Sequence, residues 1–280
     1  MITDVLRARR IFSEIASLEE SVFPLDRAAL AIPLEDYPNL NIEDYTRQLD
    51  RMAVSAEVLL GSDRTPPSVL ESLNEVLFVR EGLRGNTEDY YDPRNSLLNE
   101  VLDRKLGIPI SLSVIYMETA RRIGLALQGV GFPGHFIVKY EDTSHQILID
   151  PFNQGRLLTE GQCQELLDRV YGGSVQVQPA FLQPMSKREI VTRMLFNLKG
   201  IYYQKEDYRR ALTIVERILM LNPGTPSEVR DRGLLFMQTS LFARALSDLE
   251  YYLSIATAPP DEAFVRSHIR LLRRIVSCTN

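Results

Sequence analysis

The sequence predicts an α+β protein in which a helical N-terminal region leads into a mixed core, followed by an all-α C-terminal unit. Three observations predict it. Apolar residues from Val5 to Phe78 recur at helical intervals between Pro, Gly and Asn breaks. From Leu127 to Asp150 the pattern changes to short extended runs separated by turn residues. The last hundred residues repeat themselves at a fixed interval of helical length. A passage containing Pro179 and Pro184 separates the last two parts, so the expected division is 1–185 and 186–280.

Val5, Ile11, Ile15 and Leu18 mark a first helix over 3–22. Asn41 is a natural N-cap for a second, whose face carries Tyr45, Leu49, Met52, Ala56 and Leu59 and which stops at Gly61. Thr65-Pro66-Pro67 opens a third, with Leu70, Leu73, Leu77 and Phe78 inward. Asn86 to Pro93 is acidic, contains Tyr90-Tyr91, and reads as a loop. Asn95 or Ser96 is then expected to cap a short helix ending at Gly107, and Pro109 suits the first turn of the next. LQGVGF, HFIVKY and QILID read as antiparallel strands, with Asp142-Thr143-Ser144-His145 as the hairpin turn. Thr159 opens a helix that ends at Gly172-Gly173.

Hydrophobic content of 45% and charged content of 25% over 280 residues are those of a globular protein with a substantial core. No apolar run approaches the roughly 20 residues that span a bilayer, and the charged, amphipathic N-terminus lacks the core of a signal peptide. Two cysteines, Cys163 and Cys278, are too few for a disulfide framework and fit a reducing cytoplasm. The net charge of −5 and the mixing of Arg clusters with acidic residues disfavour nucleic acid as a partner. Only His135, His145 and His268 exist, at spacings that do not suit zinc, so neither metal nor cofactor is expected.

Tyr208-Arg209-Arg210-Ala211-Leu212 recurs as Phe242-Ala243-Arg244-Ala245-Leu246, and Ala211 and Ala245 are 34 residues apart, as are Tyr202 and Phe236. This resembles the tetratricopeptide pattern, in which a small residue sits where two helices cross closely. Gly233 holds the other small position of the second copy; Lys199 stands there in the first, with Gly200 beside it. The helix over about 261–276 resembles a cap. Such repeats imply a groove for a protein or peptide, against the simpler alternative of ordinary helical hairpins.

The stretch from Gly107 to Phe152 carries the chemistry: GIPISLSVIYMETARRIGL, then GVGFPGHFIVKYE, then ILIDPF. Helix, strand histidine and strand aspartate follow the order of the transglutaminase-like core, where a Cys at a helix start precedes a His and an Asp. The resemblance makes His135 the base and Asp150 its orienter, and puts Pro109 where the family carries its cysteine. A thiolate gains from a helix N-terminus; proline offers no nucleophile. Ser111 is turned roughly 200° from Pro109 around the helix, and Ser113 returns to the same face about 6 Å further along the axis. Each is a possible replacement nucleophile if its hydroxyl meets His135, and otherwise a capping or packing residue. Cys163 follows His135 and Asp150 on a separate helix with Leu166 and Leu167, which reads as core rather than as a rearranged nucleophile. His135 and Asp150 each have a purely local alternative, a buried turn histidine and a carboxylate bonding turn N–H groups.

The motifs Asn95-Ser96-Leu97-Leu98, Gly107-Ile108-Pro109-Ile110-Ser111-Leu112-Ser113, Pro133-Gly134-His135-Phe136 and Ile149-Asp150-Pro151-Phe152, extended by Leu157 and Cys163 to Leu167, resemble a bacterial family. That family joins a transglutaminase-like domain to tetratricopeptide repeats and is historically linked to regulation of invasion genes. The resemblance implies a papain-like core lacking the cysteine nucleophile. The reading that follows is a catalytically inactive regulatory or scaffolding factor. It would bind a protein or peptide through the cleft around His135, Asp150 and Tyr116 or through the repeat groove. The alternative is a hydrolase or acyltransferase using His135 and Asp150 with another hydroxyl or water.

Overall fold

The computed structural model describes residues 2–143 and 145–279. The protein divides into two compact units, 1–194 and 195–280. The first holds α1 (Ile2–Ala16), α2 (Leu25–Ala31), α3 (Ile42–Leu60), α4 (Pro66–Asn74), α5 (Leu98–Arg104), α6 (Pro109–Arg122) and α7 (Glu160–Tyr171). Its strands are β1 (Arg84–Gly85), β2 (Leu106–Gly107), β3 (Gln128–Val130), β4 (Ile137–Glu141), β5 (Gln146–Asp150), β6 (Arg156–Leu158) and β7 (Pro184–Met185). Helix α8 (Lys187–Gln204) begins in this unit and runs on into the second, which continues with α9 (Tyr208–Leu221), α10 (Pro226–Gln238), α11 (Phe242–Ile255) and α12 (Glu262–Thr279). The division falls inside α8 rather than near 185, because the Pro179–Pro184 passage supplies β7 to the sheet of the first unit.

Helix α6 organises the first unit. Every residue from Pro109 to Ala120 is buried, so the helix has no solvent stripe, as expected for one at the centre of a core. It packs on α2, α3, α4 and α5 and also on β3 and β4. Its C-terminal Arg122 reaches Asp26 of α2 at 2.5 Å, Asp50 of α3 at 2.6 Å and Glu118 of its own helix at 2.9 Å. One guanidinium, whose planar fork suits several carboxylates, ties three helices together.

The five-stranded sheet is antiparallel throughout, ordered β6-β5-β4-β3-β7. Val138 pairs with Ile149 and Glu141 with Gln146, so the start of β4 lies beside the end of β5. At the hairpin tip Asp142 N–H donates to His145 C=O at 3.0 Å and Asp142 Oδ1 accepts from His145 N–H at 2.8 Å. The expected turn also includes Ser144, which lies outside the described residues. Strands β6 and β7 and the two-residue parallel pair β1-β2 are additions that their sequences did not announce.

Several helix ends follow their sequence signals. Asn41 Oδ1 accepts from Glu43 N–H at 3.1 Å to start α3, and Gly61 at φ +62° ends it. Thr159 Oγ1 accepts from Gln162 N–H at 3.3 Å while Gln162 Oε1 accepts from Thr159 N–H at 2.9 Å, a reciprocal capping box on α7. Other ends depart. Helix α1 stops at Ala16 instead of near 22, because Arg188 of α8 donates to the carbonyls of Ala16 and Leu18 at 2.9 and 2.7 Å. The third helix leaves α geometry at Glu75 and finishes as a π-helical turn to Arg80. Neither Asn95 nor Ser96 caps α5; its N-cap is Leu97, and Asn95 is buried in a separate polar cluster.

In the second unit the repeat positions are used as their spacing predicts. Ala211 and Ala245 are fully buried, with Tyr202 and Phe236 close behind at 5% exposure. At Gly233 an added Cβ would lie 2.8 Å from Leu249 Cδ2 and 2.9 Å from its Cγ, so α10 and α11 approach as closely as only glycine allows. Lys199, at the equivalent place in α8, instead extends its amine to Glu228 and Asp231 of α10 at 2.7 and 2.6 Å. A polar bridge therefore replaces close contact in the first copy.

Gly233→Ala should lower stability by about 1–3 kcal/mol through overpacking. Gly200→Ala, where a Cβ meets open space, should raise it by up to about 1 kcal/mol through helix propensity. Urea midpoints of the two variants moving in the same direction would contradict this packing.

Candidate functional site

The site is built from the start of α6, the turn before β4 and the turn after β5. Ile108 is the N-cap residue of α6 and Pro109 its first helical residue. Pro109 has no N–H to leave unsatisfied in a buried place. Ser111 accepts the N–H of Ile108 on Oγ at 3.0 Å and donates to the carbonyl of Asn95 at 2.7 Å. Its hydroxyl is thus committed to backbone and fully buried. Ser113 is also fully buried, and its Oγ has no hydrogen-bond partner among the described residues.

The β4–β5 register brings His135 and Asp150 together. Pro133-Gly134 turns the backbone, with Gly134 at φ +69° and no room for a Cβ, which would come within 2.4 Å of Val170 Cγ2. The His135 N–H donates to Phe132 C=O at 3.0 Å. His135 Nε2 then lies 2.9 Å from Asp150 Oδ1, with the ring 11% and the carboxylate 1% exposed. That separation is a hydrogen-bonding distance, but the ring N–H is not directed along it, so the pairing is chiefly electrostatic. The same carboxylate accepts from Phe152 N–H at 3.1 Å, Asn153 N–H at 3.4 Å and Asn153 Nδ2 at 2.7 Å. Asp150 therefore orients the histidine and caps its own turn. Burial raises its carboxyl, but the adjacent His135 ring and the Asn153 donors outweigh burial and hold it below the usual carboxylate range. Nε2, the nitrogen turned to Asp150, is buried and has no directed hydrogen bond among the described residues.

Aromatic rings continue from the histidine toward solvent. The His135 and Phe152 rings meet edge-on with centroids 6.0 Å apart, Phe152 meets Tyr90 at 6.3 Å, and Tyr90 meets Tyr91 at 5.3 Å. Phe152 lies against Gly85 of β1, where a Cβ would be 2.5 Å from the ring. Asn95 holds the Tyr90 loop, donating through Nδ2 to the carbonyls of Asp89 and Tyr90 at 2.7 and 3.2 Å. The backbone of the histidine turn is held by Arg193 of α8, whose Nη2 donates to His135 C=O at 2.7 Å and Phe132 C=O at 3.2 Å.

Other residues named from the sequence lie elsewhere. Tyr116 does not face the cleft: it is itself fully buried, and its hydroxyl donates to Asn74 Oδ1 at 2.9 Å. Cys163 is packed among Val130, Phe132, Ile137, Leu148 and Leu167. Burial, and then the negative charges of Asp150 and Glu160, push its thiol up, away from the thiolate. Arg193, Tyr90 and Phe152 were not identified as site residues from the sequence. Arg193 lies 58 residues from His135, and no local pattern connects the two.

Because Asp150 is depressed in the folded state, its contribution to stability is complete above its unfolded value of about 3.9. It is lost as pH falls through the lower folded value. Asp150→Asn should cost about 1–3 kcal/mol at neutral pH, and the difference from wild type should shrink below about pH 4. A pH-independent difference in unfolding midpoints would contradict the assignment.

Comparisons with known proteins bear on the family and fold. Residues 43–196 match the transglutaminase-like superfamily and residues 198–270 a tetratricopeptide repeat family. The protein is 36% identical over 266 residues to a UPF0162 protein of Xylella fastidiosa, covering 92% of this chain and 93% of the relative. It is 28% identical to a UPF0162 protein of Vibrio cholerae, covering 89% and 92% respectively. A partial match, 33% identical over 141 residues, links 48% of this chain to 22% of human F-box only protein 21. No solved structure is significantly similar. A superfamily match over more than half of the sequence, and a relative more than 30% identical over nearly its full length, establish that the chain belongs to the UPF0162 family of transglutaminase-like proteins with C-terminal tetratricopeptide repeats.

Proposed function

We propose that this protein is a non-catalytic transglutaminase-like factor that binds a protein or peptide and acts as a regulator or scaffold in the cytoplasm. The carrying observation is the start of α6. Its first helical residue is Pro109, and the next hydroxyl, on Ser111, is held by the Asn95 carbonyl and the Ile108 N–H. The transglutaminase-like core together with tetratricopeptide repeats supports a protein-interaction role. The partner is proposed to bind at the cleft around His135 and Asp150 or in the groove of the helices after residue 185. Two free cysteines, one of them buried in the core, fit a reducing compartment.

A second reading rests on a different observation. His135 keeps a carboxylate 2.9 Å from Nε2 and its side chain is 11% exposed, so Nδ1 is the nitrogen that a water or substrate would meet. A base so placed could act on water or on a substrate hydroxyl, with Asp150 stabilising the imidazolium that forms. Ser113 would serve as the nucleophile only if its buried Oγ came within hydrogen-bond reach of that nitrogen.

Pro109→Cys tests both readings. If the α6 start lies against His135 as the family resemblance implies, the variant thiol at this helix N-terminus should react with iodoacetamide at pH 6 at least tenfold faster than in the Pro109→Cys/His135→Ala double variant. The wild type should show no amide or ester hydrolysis and no transamidation. Turnover by the wild type that disappears in His135→Ala would overturn the non-catalytic reading.

A further inference from the structure

A cavity of about 410 Å³ lies at the β7 edge of the five-stranded sheet, lined by neither His135 nor Asp150. Its volume is that of a small-molecule site. Leu25 of α2, Met117 of α6, Leu127, Met185 of β7 and Ile190 of α8 give it an apolar wall. Ala126, which is exposed, stands at its rim. The two methionines matter, because an unbranched thioether side chain adapts to apolar ligands of different shape.

Four charged residues also line this cavity, and two of them are committed to the fold. Glu20 accepts the backbone N–H groups of Lys187 and Arg188 at 2.5 and 3.4 Å, closing the start of α8. Arg121 donates through Nε and Nη2 to Glu118 Oε2 at 3.0 and 2.9 Å. The other two, Glu118 and Lys187, keep capacity to spare. The Glu118 side chain is only 4% exposed, and Arg121 and Arg122 all reach the same oxygen, Oε2. Its Oε1 accepts no hydrogen bond among the described residues, yet it is not one of the sealed polar atoms, so it opens on the cavity that Glu118 lines. Lys187 is half-buried, and its Nζ donates only to the carbonyl of Phe23, at 3.1 Å. Among the described residues no carboxylate lies within ion-pair distance of that amine. An ammonium carries three donors, so two are unused.

We infer that this cavity is a binding site for a free α-amino acid with an apolar side chain, of the leucine or methionine class. Lys187 takes its carboxylate, Glu118 Oε1 takes its ammonium, and its side chain lies among Met117, Leu127, Met185 and Ile190. The two unused groups have opposite charge, and that selects the ligand. A simple carboxylic acid would satisfy Lys187 but bring a second negative charge into the cavity that Glu118 lines. A simple amine would do the reverse with Lys187. A zwitterion gives each a charge-assisted hydrogen bond and leaves no buried charge without its counterpart. The end of a peptide chain carries only one of the two charges. The site does not depend on whether His135 takes part in a reaction.

The full-length protein, labelled with ¹³C at the methionine methyl groups, would be titrated with L-leucine, leucinamide, N-acetyl-leucine and glycine. The Met185 methyl resonance is assigned by its loss in Met185→Leu, and that of Met117 in Met117→Leu. Saturable movement of both resonances is expected with leucine. Binding should be weaker by about tenfold or more with each analogue, since each lacks one charge or the apolar side chain. Lys187→Met keeps the length of the side chain and removes its charge, and should weaken leucine binding by about tenfold. Because Glu118→Gln also loosens the ion pairs at the end of α6, the second variant is Ala126→Phe. It narrows the rim, and should weaken leucine binding severalfold with the urea midpoint unchanged. No saturable movement with leucine would overturn the inference. So would leucinamide or N-acetyl-leucine binding as tightly as leucine, since these are the forms of a peptide N-terminus and C-terminus. Undiminished leucine binding by Lys187→Met would overturn it as well.

Discussion

The burial of α6 from Pro109 to Ala120 is the constraint on which the first unit depends. A helix without a solvent face must satisfy its N-terminal donors internally, because each orphaned buried N–H costs about as much as a lost hydrogen bond. Proline at the first position removes one donor, and Ser111 returns its hydroxyl to the Ile108 N–H. The same hydroxyl reaches the Asn95 carbonyl, and the Asn95 side chain holds the loop that carries Tyr90. The helix start is thus a structural junction. Its geometry persists without a reactive atom, because capping and packing rather than chemistry hold it in place.

Against this fixed element the hairpin presents a histidine and an aspartate whose pairing follows from strand register alone. Aligning Val138 with Ile149 makes the two turns neighbours, and a one-residue slip would turn every side chain of the strand to the opposite face. Asp150 is further committed to Phe152 and Asn153. A carboxylate with this many donors remains ionised and orients the ring whether or not a reaction takes place. Retention of the pair therefore does not itself argue for catalysis. Beside the pair, Arg193 of α8 clamps the histidine turn through the Phe132 and His135 carbonyls.

Local signals in the sequence were reliable where the structure is local. Asn41, Gly61 and the Thr159–Gln162 pair act at the helix ends they mark, and the 34-residue spacing of Ala211 and Ala245 places both at buried helix crossings. The order of helix, His135 and Asp150 identified the core. The failures share a cause: distant residues decide the outcome. Arg188 ends α1 from 172 residues away, Asn95 serves a tertiary cluster instead of capping α5, and Tyr116 turns into the core with the buried helix that bears it. Strands as short as β1, β2 and β7 carry no periodicity to read, and they form because a partner is already in place. The Lys199 bridge to Glu228 and Asp231 is similar: the sequence showed a misfit at a small-residue position, and only the neighbouring helix explains it.

The most direct measurement of the central claim, that no protein nucleophile faces the base, is the imidazole ¹⁵N spectrum of His135 in the wild type and in Ser111→Ala and Ser113→Ala. The account predicts a proton on Nε2 that responds to Asp150→Asn, and an Nδ1 resonance that neither serine substitution moves. A shift of Nδ1 on removing either hydroxyl would contradict it, because that hydroxyl would then be hydrogen-bonded to the base and placed to act as a nucleophile.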